Sequence, residues 1–329
     1  MSLFITKNGL LDTLQDGGRY GFQELGINPG GAMDCIAMRL VNILVGNHPF
    51  EPVLEMHFPA AEILVESPML IALGGADFTA VINGNEIPLL HPVLVQKKSI
   101  LKFIRRKKGA RIYLSVQGGI SAQKWLNSAS TDLKTHAGGF EGRALKKNDR
   151  LFCKETTRSG MAKEGNDFVL FPWEANSGKL YRKNSFRFIP GFEFGFLPGE
   201  TKKIMLSTNF SISSLSDRMG YRLEGEPLLL ARPINLLSSA VTRGTIQLLP
   251  NGQLIILMAD HQTTGGYPRV GHIISTDFSS LAQLSAGDEF ALEAVDINIA
   301  EEAMRQQEID LQQIQNACNF RLNDFFHLE

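Results

Sequence analysis

The stretch MADHQTTGGYPRVG, residues 258–271, follows directly on the apolar run Leu254–Leu257 and crowds ligand-capable groups into one turn. Gly265, Gly266 and Pro268 suffice to reverse the chain. Asp260, Gln262, Thr263, Thr264 and Tyr267 exceed what a turn requires, and together they suggest the wall of a pocket for a small polar molecule. His261 is either a proton carrier near neutral pH or a packed ring. Two other places offer matching chemistry. Arg19 in GRYGFQELG and Arg218 in DRMGYRLEG share one Arg-x-Gly-aromatic pattern that ends in glycine. A guanidinium there can clamp a carboxylate, phosphate or planar amide, or it can lock a loop by pairing with Asp16 or Asp217. In Pro29-Gly30-Gly31-Ala32-Met33-Asp34 a glycine turn leads to a helix start, where free N–H groups favour an anion or carbonyl oxygen. Asp34 is a ligand-binding acid, a plain N-cap, or both.

Several other chemistries lack their residues. There is no HExxH, HxH or paired Cys/His set for a metal, no GxxxxGK[ST] loop for phosphates, and no GxSxG elbow for a serine nucleophile. Lys and Arg number 33 against 34 Asp and Glu, a net charge of −1 that argues against a general nucleic-acid binder. The local basic cluster Lys97, Lys98, Lys102 and Arg105–Lys108 reads as a solvated hairpin, with a phosphate or partner surface as the minority alternative. Cys35, Cys153 and Cys318 form no pairable pattern, which fits a reducing, cytoplasmic setting. No segment approaches the ~20 apolar residues of a membrane span, so a soluble protein is expected.

The elements that must hold these groups are mostly strands. Apolar runs are short, rich in β-branched residues and closed by turn signals. In Arg111–Gln117, Ile112, Leu114 and Val116 alternate with Tyr113 and Ser115, the period of a half-buried strand. Asn83-Gly84 marks a hairpin. Two helices stand out, one over about 35–45 behind Asp34 and one over about 299–317. The repeated arginine motif, each copy followed by an apolar strand ending in an acid (LIALGGAD, LIILMAD), suggests two related halves. Their join is expected in residues 158–180, around Gly160, Gly165, Asn166 and Gly178. Gly74-Gly75 and Gly118-Gly119 either line a groove or sit where one barrel's backbone crosses another, with packing the favoured reading.

Taken in order, TLQDGGRYGFQELGINPGGAMD, IYLSVQGGI, GGFEGRALKKNDRL, LSDRMGYRLEG, GTIQLLPNGQLIILMADHQTTGGYP and LAQLSAGDEF resemble the biotin-dependent carboxyltransferase family of allophanate hydrolase subunit 2. That family takes in C-type subunits of 5-oxoprolinase and KipA-type proteins. The resemblance implies a mainly β fold of two cyclophilin-like β-barrels with a few short helices: residues 1–158, residues 168–297, and a C-terminal helical tail at 298–329. It also implies partners, a subunit-B/KipI-like protein and a subunit-A, lactamase-like (LamB/YcsF-like) protein. With them the expected activity is ATP-dependent opening of 5-oxoproline to glutamate. Asp34 and Asp260 would accept hydrogen bonds from a substrate N–H, with Arg19, Arg218, Gln262, Thr264 and Tyr267 as polar companions. ATP would act in the complex, and biotin, if used, would arrive on another chain, since no Met-Lys-Met signature occurs here. The alternatives are a KipA-like regulatory module that binds a KipI-like kinase inhibitor, and a carboxyltransferase component of a urea carboxylase type. The chain departs from the family pattern at His261 and Ala129, each in place of an arginine, and in LEMHFPAAEI.

Overall fold

The computed structural model describes residues 1–154, 166–230, 232, 234 and 236–326. Residues 158, 160 and 165 of the expected join, and the last three of the helical tail, lie outside them. The chain divides into two compact units, the first made of Met1–Gly18, Asp34–Ser177 and Asp310–Glu329, the second of Arg19–Met33 and Gly178–Ile309.

Unit 1 holds twelve described strands: β1 (Ser2–Lys7), β2 (Asp12–Gln15), β3 (Val53–His57), β4 (Glu62–Val65), β5 (Met69–Asp77), β6 (Ala80–Ile82), β7 (Asn85–Glu86), β8 (Pro92–Val95), β9 (Ile100–Phe103), β10 (Lys108–Val116), β11 (Arg150–Phe152) and β12 (Phe168–Leu170). They form two six-stranded sheets, in the orders β11-β1-β4-β9-β6-β7 and β12-β8-β5-β10-β3-β2. Alternate residues of both sheets, such as Leu3, Ile5, Ile63, Leu54, Ile112 and Leu114, meet in one dry core. The Asn83-Gly84 turn joins β6 to β7 with both residues at positive φ, as the sequence indicated.

Helix α1 (Cys35–Leu44) lies over β5 and β10. Ile36, Leu40, Ile43 and Leu44 are buried, each stabilising by roughly 1.5–3 kcal/mol relative to an exposed position. Asp34 starts the helix by accepting the Ala37 N–H at 2.9 Å. Gly74 is a close-packing position against side chains of its own unit, not a crossing of barrel backbones: a Cβ there would sit 2.8 Å from Val41 Cγ1 and 3.0 Å from Leu90 Cδ2, so the glycine lets α1 settle on β5.

Unit 2 is a closed barrel. Its strands are β13 (Ser185–Pro190), β14 (Phe210–Ile212), β15 (Gly220–Glu224), β17 (Thr245–Leu248), β18 (Leu254–Leu257), β20 (Arg269–Ile273) and β21 (Glu289–Ala294), in the order β13-β20-β17-β18-β15-β14-β21, with β21 returning parallel to β13. A two-stranded ribbon, β16 (Ser239–Ala240) with β19 (Thr264–Gly265), lies outside that ring of strands. The barrel is filled by Phe186, Phe188, Tyr221, Ile246, Leu248, Ile256 and Phe290.

Two short helices, of the kind the resemblance implies but at positions not located from sequence, are α2 (Gly199–Ser207) and α3 (Phe278–Ala282) in this unit. The last helix, α4, runs Ile297–Phe325, eight residues past its expected end. Leu311, Cys318 and Leu322 continue its buried stripe, and Phe325 stacks on Phe171 at 4.2 Å between centroids. Among the described residues no helix is long and apolar enough to cross a membrane.

Candidate functional site

The site belongs to unit 2 and starts from backbone pairing. β15 and β18 run antiparallel with Gly220 opposite Leu257, so the chain enters β15 beside the point where it leaves β18. Past the strand ends the pairing continues: Met258 N–H donates to the Met219 carbonyl at 3.0 Å and Asp260 N–H to the Arg218 carbonyl at 2.8 Å. That register delivers the two side chains to each other. Arg218 Nε donates to Asp260 Oδ2 at 2.7 Å and Nη2 to Oδ1 at 3.0 Å, a bidentate pair whose arginine is 8% and whose aspartate 21% exposed. The Asp217 carboxylate accepts the Met219 and Gly220 backbone N–H groups.

The arm Arg19–Met33 brings the other arginine. Arg218 Nη2 donates to the Gly31 carbonyl at 2.7 Å, Asn28 Nδ2 donates to the Asp260 carbonyl at 3.2 Å, and Arg243 donates to the carbonyls of Ala32 and Met33. On this arm Arg19 is 2% exposed, with its N–H on the Pro29 carbonyl. Gly30 has φ +62°, and a Cβ on it would lie 3.0 Å from Arg19 Nη1 and 3.8 Å from Asp260 Oδ1. Its missing side chain leaves room for the guanidinium beside the carboxylate. The two Arg-x-Gly-aromatic copies therefore do not take equivalent places in two halves. Both arginines serve unit 2, one from an arm and one from the edge of β15.

Beside the ion pair is a cleft. Arg222, Ile255 and Gln247 are register partners across β15, β18 and β17, and they face outward while Tyr221, Ile256 and Ile246 fill the barrel. This row forms part of a cleft of about 480 Å³ that is also lined by Asp217, Met219, Asn251, Gln262 and Tyr267. That size falls within the roughly 300–1,000 Å³ of small-molecule sites. Residues on both sides of Arg218 line it, and Gln262 follows Asp260 by two positions, but Arg218 and Asp260 are not themselves among its lining residues.

Of the residues expected from sequence, Arg19, Arg218 and Asp260 come together, and Gln262 and Tyr267 line the adjoining cleft. Thr264 is exposed and pairs with Ala240 in the β16–β19 ribbon; it does not line the cleft. Asp34 belongs to unit 1 and is fully buried as the cap of α1; its N–H donates to Tyr113 Oη at 2.8 Å, and that hydroxyl donates to Glu55 Oε2 at 2.7 Å. Burial, followed by the charges of Glu55 and Asp34, drives the Tyr113 phenol well above its ordinary range, so it stays a donor.

His261 is packed, at 1% exposure. Its Nδ1 lies 2.6 Å from the Gln262 carbonyl, which can only accept, so Nδ1 carries the proton. Burial pulls the imidazole below its usual value and Arg243 acts in the same direction, while the Gln262 bond and Asp260 oppose them. The neutral ring thus fixes the backbone between Asp260 and Gln262. At the other departure, Ala129 N–H, Ser128 Oγ and Ser130 Oγ all donate to Asp16 at 2.6 Å, a clamp within unit 1 that needs no arginine side chain.

Sequence reading missed Gln247 and Arg222. The available signal was Gln247 standing between Ile246 and Leu248, at the strand phase that faces away from the barrel core. Among the described residues no group of three His, Cys, Asp or Glu side chains could hold a metal ion.

Comparison with known proteins places this geometry. The chain is 36% identical to the C-type subunit of 5-oxoprolinase from Haemophilus influenzae (strain ATCC 51907 / DSM 11121 / KW20 / Rd), over 92% of this chain and 94% of the relative. It is 35% identical to the C-type subunit of 5-oxoprolinase from Escherichia coli (strain K12), over 95% and 97%. The crystal structure of the K. lactis urea amidolyase superposes with a TM-score of 0.86 at 25% identity, covering 95% of this chain and 20% of that larger enzyme. The model of the carboxyltransferase domain, subdomain A and B, matches residues 25–294, most of the chain. On that match, and on similarity running nearly end to end, the chain belongs to the carboxyltransferase domain, subdomain A and B, family.

Proposed function

We propose that this chain is the C-type subunit of an ATP-dependent 5-oxoprolinase, which opens 5-oxo-L-proline to L-glutamate together with a subunit-B/KipI-like and a subunit-A, lactamase-like partner. One observation carries the reading: two relatives named as C-type subunits of 5-oxoprolinase align with at least 92% of this chain. The chemistry of unit 2 agrees with it. A lactam nitrogen is a poor nucleophile and its carbonyl a poor electrophile, so the ring needs a carboxylate to orient and accept the N–H and a cation near the oxygen where charge develops. A carboxylate has about four lone-pair sites, of which Arg218 uses two on Asp260, so acceptor positions remain for a substrate N–H. Arg19, beside Gly30, supplies a second guanidinium.

Asp260 and Arg218 take the leading roles in this reading, and Gln262 and Tyr267 shape the pocket. The cleft residues fit ATP poorly, because Asp217 and Arg222 bring one charge of each sign against three phosphates, so nucleotide is assigned to another subunit. The likeness to urea amidolyase favours a second reading, a carboxyltransferase component that takes a carboxyl group from biotin on another chain. Reconstitution separates the two. ATP hydrolysis that requires 5-oxoproline and all three components supports the first. Its absence, together with carboxylation of an amide by a biotinylated partner, supports the second, and absence of both with tight binding to the KipI-like protein leaves a regulatory module.

A further inference from the structure

Gln247, which lines the cleft of unit 2, carries a polar atom that the protein leaves unsatisfied. Gln247 is 1% exposed and stands at a β-bulge, where β17 and β20 shift register between Ile246 and Gln247. The extra residue of the bulge is Val270 on β20, so Gln247 keeps the ordinary strand phase, opposite to Ile246 and Leu248. Its Oε1 accepts from Gln262 Nε2 at 3.5 Å, while its own Nε2 is buried with no partner among the described residues. Exchanging the amide ends of both glutamines leaves one polar atom of Gln247 buried and unpaired all the same. Such a group costs roughly 1–3 kcal/mol, a penalty that a ligand's hydrogen bond removes. Two register positions away across the same row, Arg222 lines the cleft with a guanidinium that has no carboxylate partner among the described residues.

We propose that Gln247 and Arg222 are the specificity-determining residues of this subunit: Gln247, paired with Gln262, reads the ring amide of the substrate, and Arg222 binds its carboxylate. This deepens the 5-oxoprolinase reading and rests on it. The unpaired Gln247 N–H donates to the lactam carbonyl oxygen, and the ring N–H is left to Asp260. A single unpaired guanidinium matches a monoanion. The class of substrate selected is therefore a small lactam bearing one carboxylate.

The test uses the reconstituted three-component enzyme with Gln247→Leu, Gln247→Glu and Arg222→Ala in this chain, and two partial ligands as competitors. One is 2-pyrrolidinone, which has the ring amide without the carboxylate. The other is cyclopentanecarboxylate, which has the carboxylate without the amide. Gln247→Leu raises KM for 5-oxoproline about tenfold, the loss of one good hydrogen bond, with a smaller change in kcat; it weakens inhibition by 2-pyrrolidinone and spares cyclopentanecarboxylate. Arg222→Ala raises KM at least as much and gives the opposite pattern with the competitors. Where Gln247→Leu fails to fold, as judged by circular dichroism, Gln247→Glu keeps the length and polarity, replaces the donor by an acceptor, and must show the same pattern. Equal competitor constants in wild type and variants overturn the proposal. A wild-type mixture that does not turn over 5-oxoproline instead overturns the functional reading on which it rests.

Discussion

Replacing Arg218 by methionine should release the arm Arg19–Met33 from unit 2. The guanidinium makes at least three charge-assisted or buried bonds, at 2.7 and 3.0 Å to Asp260 and 2.7 Å to the Gly31 carbonyl, from a side chain only 8% exposed. Removing one partner of a buried ion pair costs about 3–5 kcal/mol, because the remaining charge loses its compensation. Asp260 is 21% exposed and can regain water, which reduces the figure to about 2–3 kcal/mol. Expressed as local opening, that is about 30- to 150-fold faster amide exchange in the arm. Both tryptophans, Trp125 and Trp173, lie in unit 1, so fluorescence reports the wrong region. The assay is hydrogen exchange read by mass spectrometry on peptides covering 19–33 and 218–224. Pairing Arg218→Met with Asp260→Asn should recover part of the loss, with a coupling of roughly 1–3 kcal/mol. Exchange in 19–33 within twofold of wild type would show that the pair does not anchor the arm.

Two further predictions concern unit 1. The Asp12 carboxyl is buried and pushed up to about 7 by desolvation, against backbone N–H groups, Gly9 first, that hold it down. Its ordinary value is 3.8, so between about pH 4 and 7 the folded state keeps a proton that the unfolded chain has lost, and stability falls as pH rises, by up to about 4 kcal/mol. Asp12→Asn should flatten that slope and stabilise the unit at pH 7.5. Urea midpoints followed by tryptophan emission at pH 4.5 and 7.5 check this, and an undiminished slope in the variant contradicts it. Gly74→Ala should cost about 1–3 kcal/mol, because its new Cβ meets Val41 Cγ1 at 2.8 Å and valine in a helix has little rotamer freedom. The tryptophan-reported Tm should drop, and an unchanged Tm would mean that α1 moves off β5 freely.

What could be read from the sequence was local in origin. The strand alternation at Ile112–Val116, the Asn83-Gly84 turn and the Asp34-capped helix all express periods or caps within a few residues, and they occur where expected. Helix α4 extends past its expected end because its buried positions thin out to Leu311, Cys318 and Leu322, a stripe too sparse to carry the pattern. The site's residues were legible as types and illegible as partners. Asp217 is adjacent to Arg218 in sequence yet turns to backbone N–H groups, while Asp260, 42 residues away, is delivered by the β15–β18 register. Arg19 reaches unit 2 through an arm that no periodicity marks. Gln247 was invisible because a single polar residue in an apolar run acquires meaning only when the neighbouring strands decide what lies on its outward face.

The most direct test of the central claim, that the Arg218–Asp260 pair in unit 2 works on a lactam, is the rate of glutamate formation from 5-oxoproline by the reconstituted complex carrying Asp260→Asn. Asparagine is nearly isosteric and keeps an acceptor for Arg218, and in a variant confirmed to assemble the account predicts a fall in kcat of about 100-fold or more, the scale of a lost general base or charged transition-state contact. Wild-type kcat in a variant confirmed to assemble would contradict it.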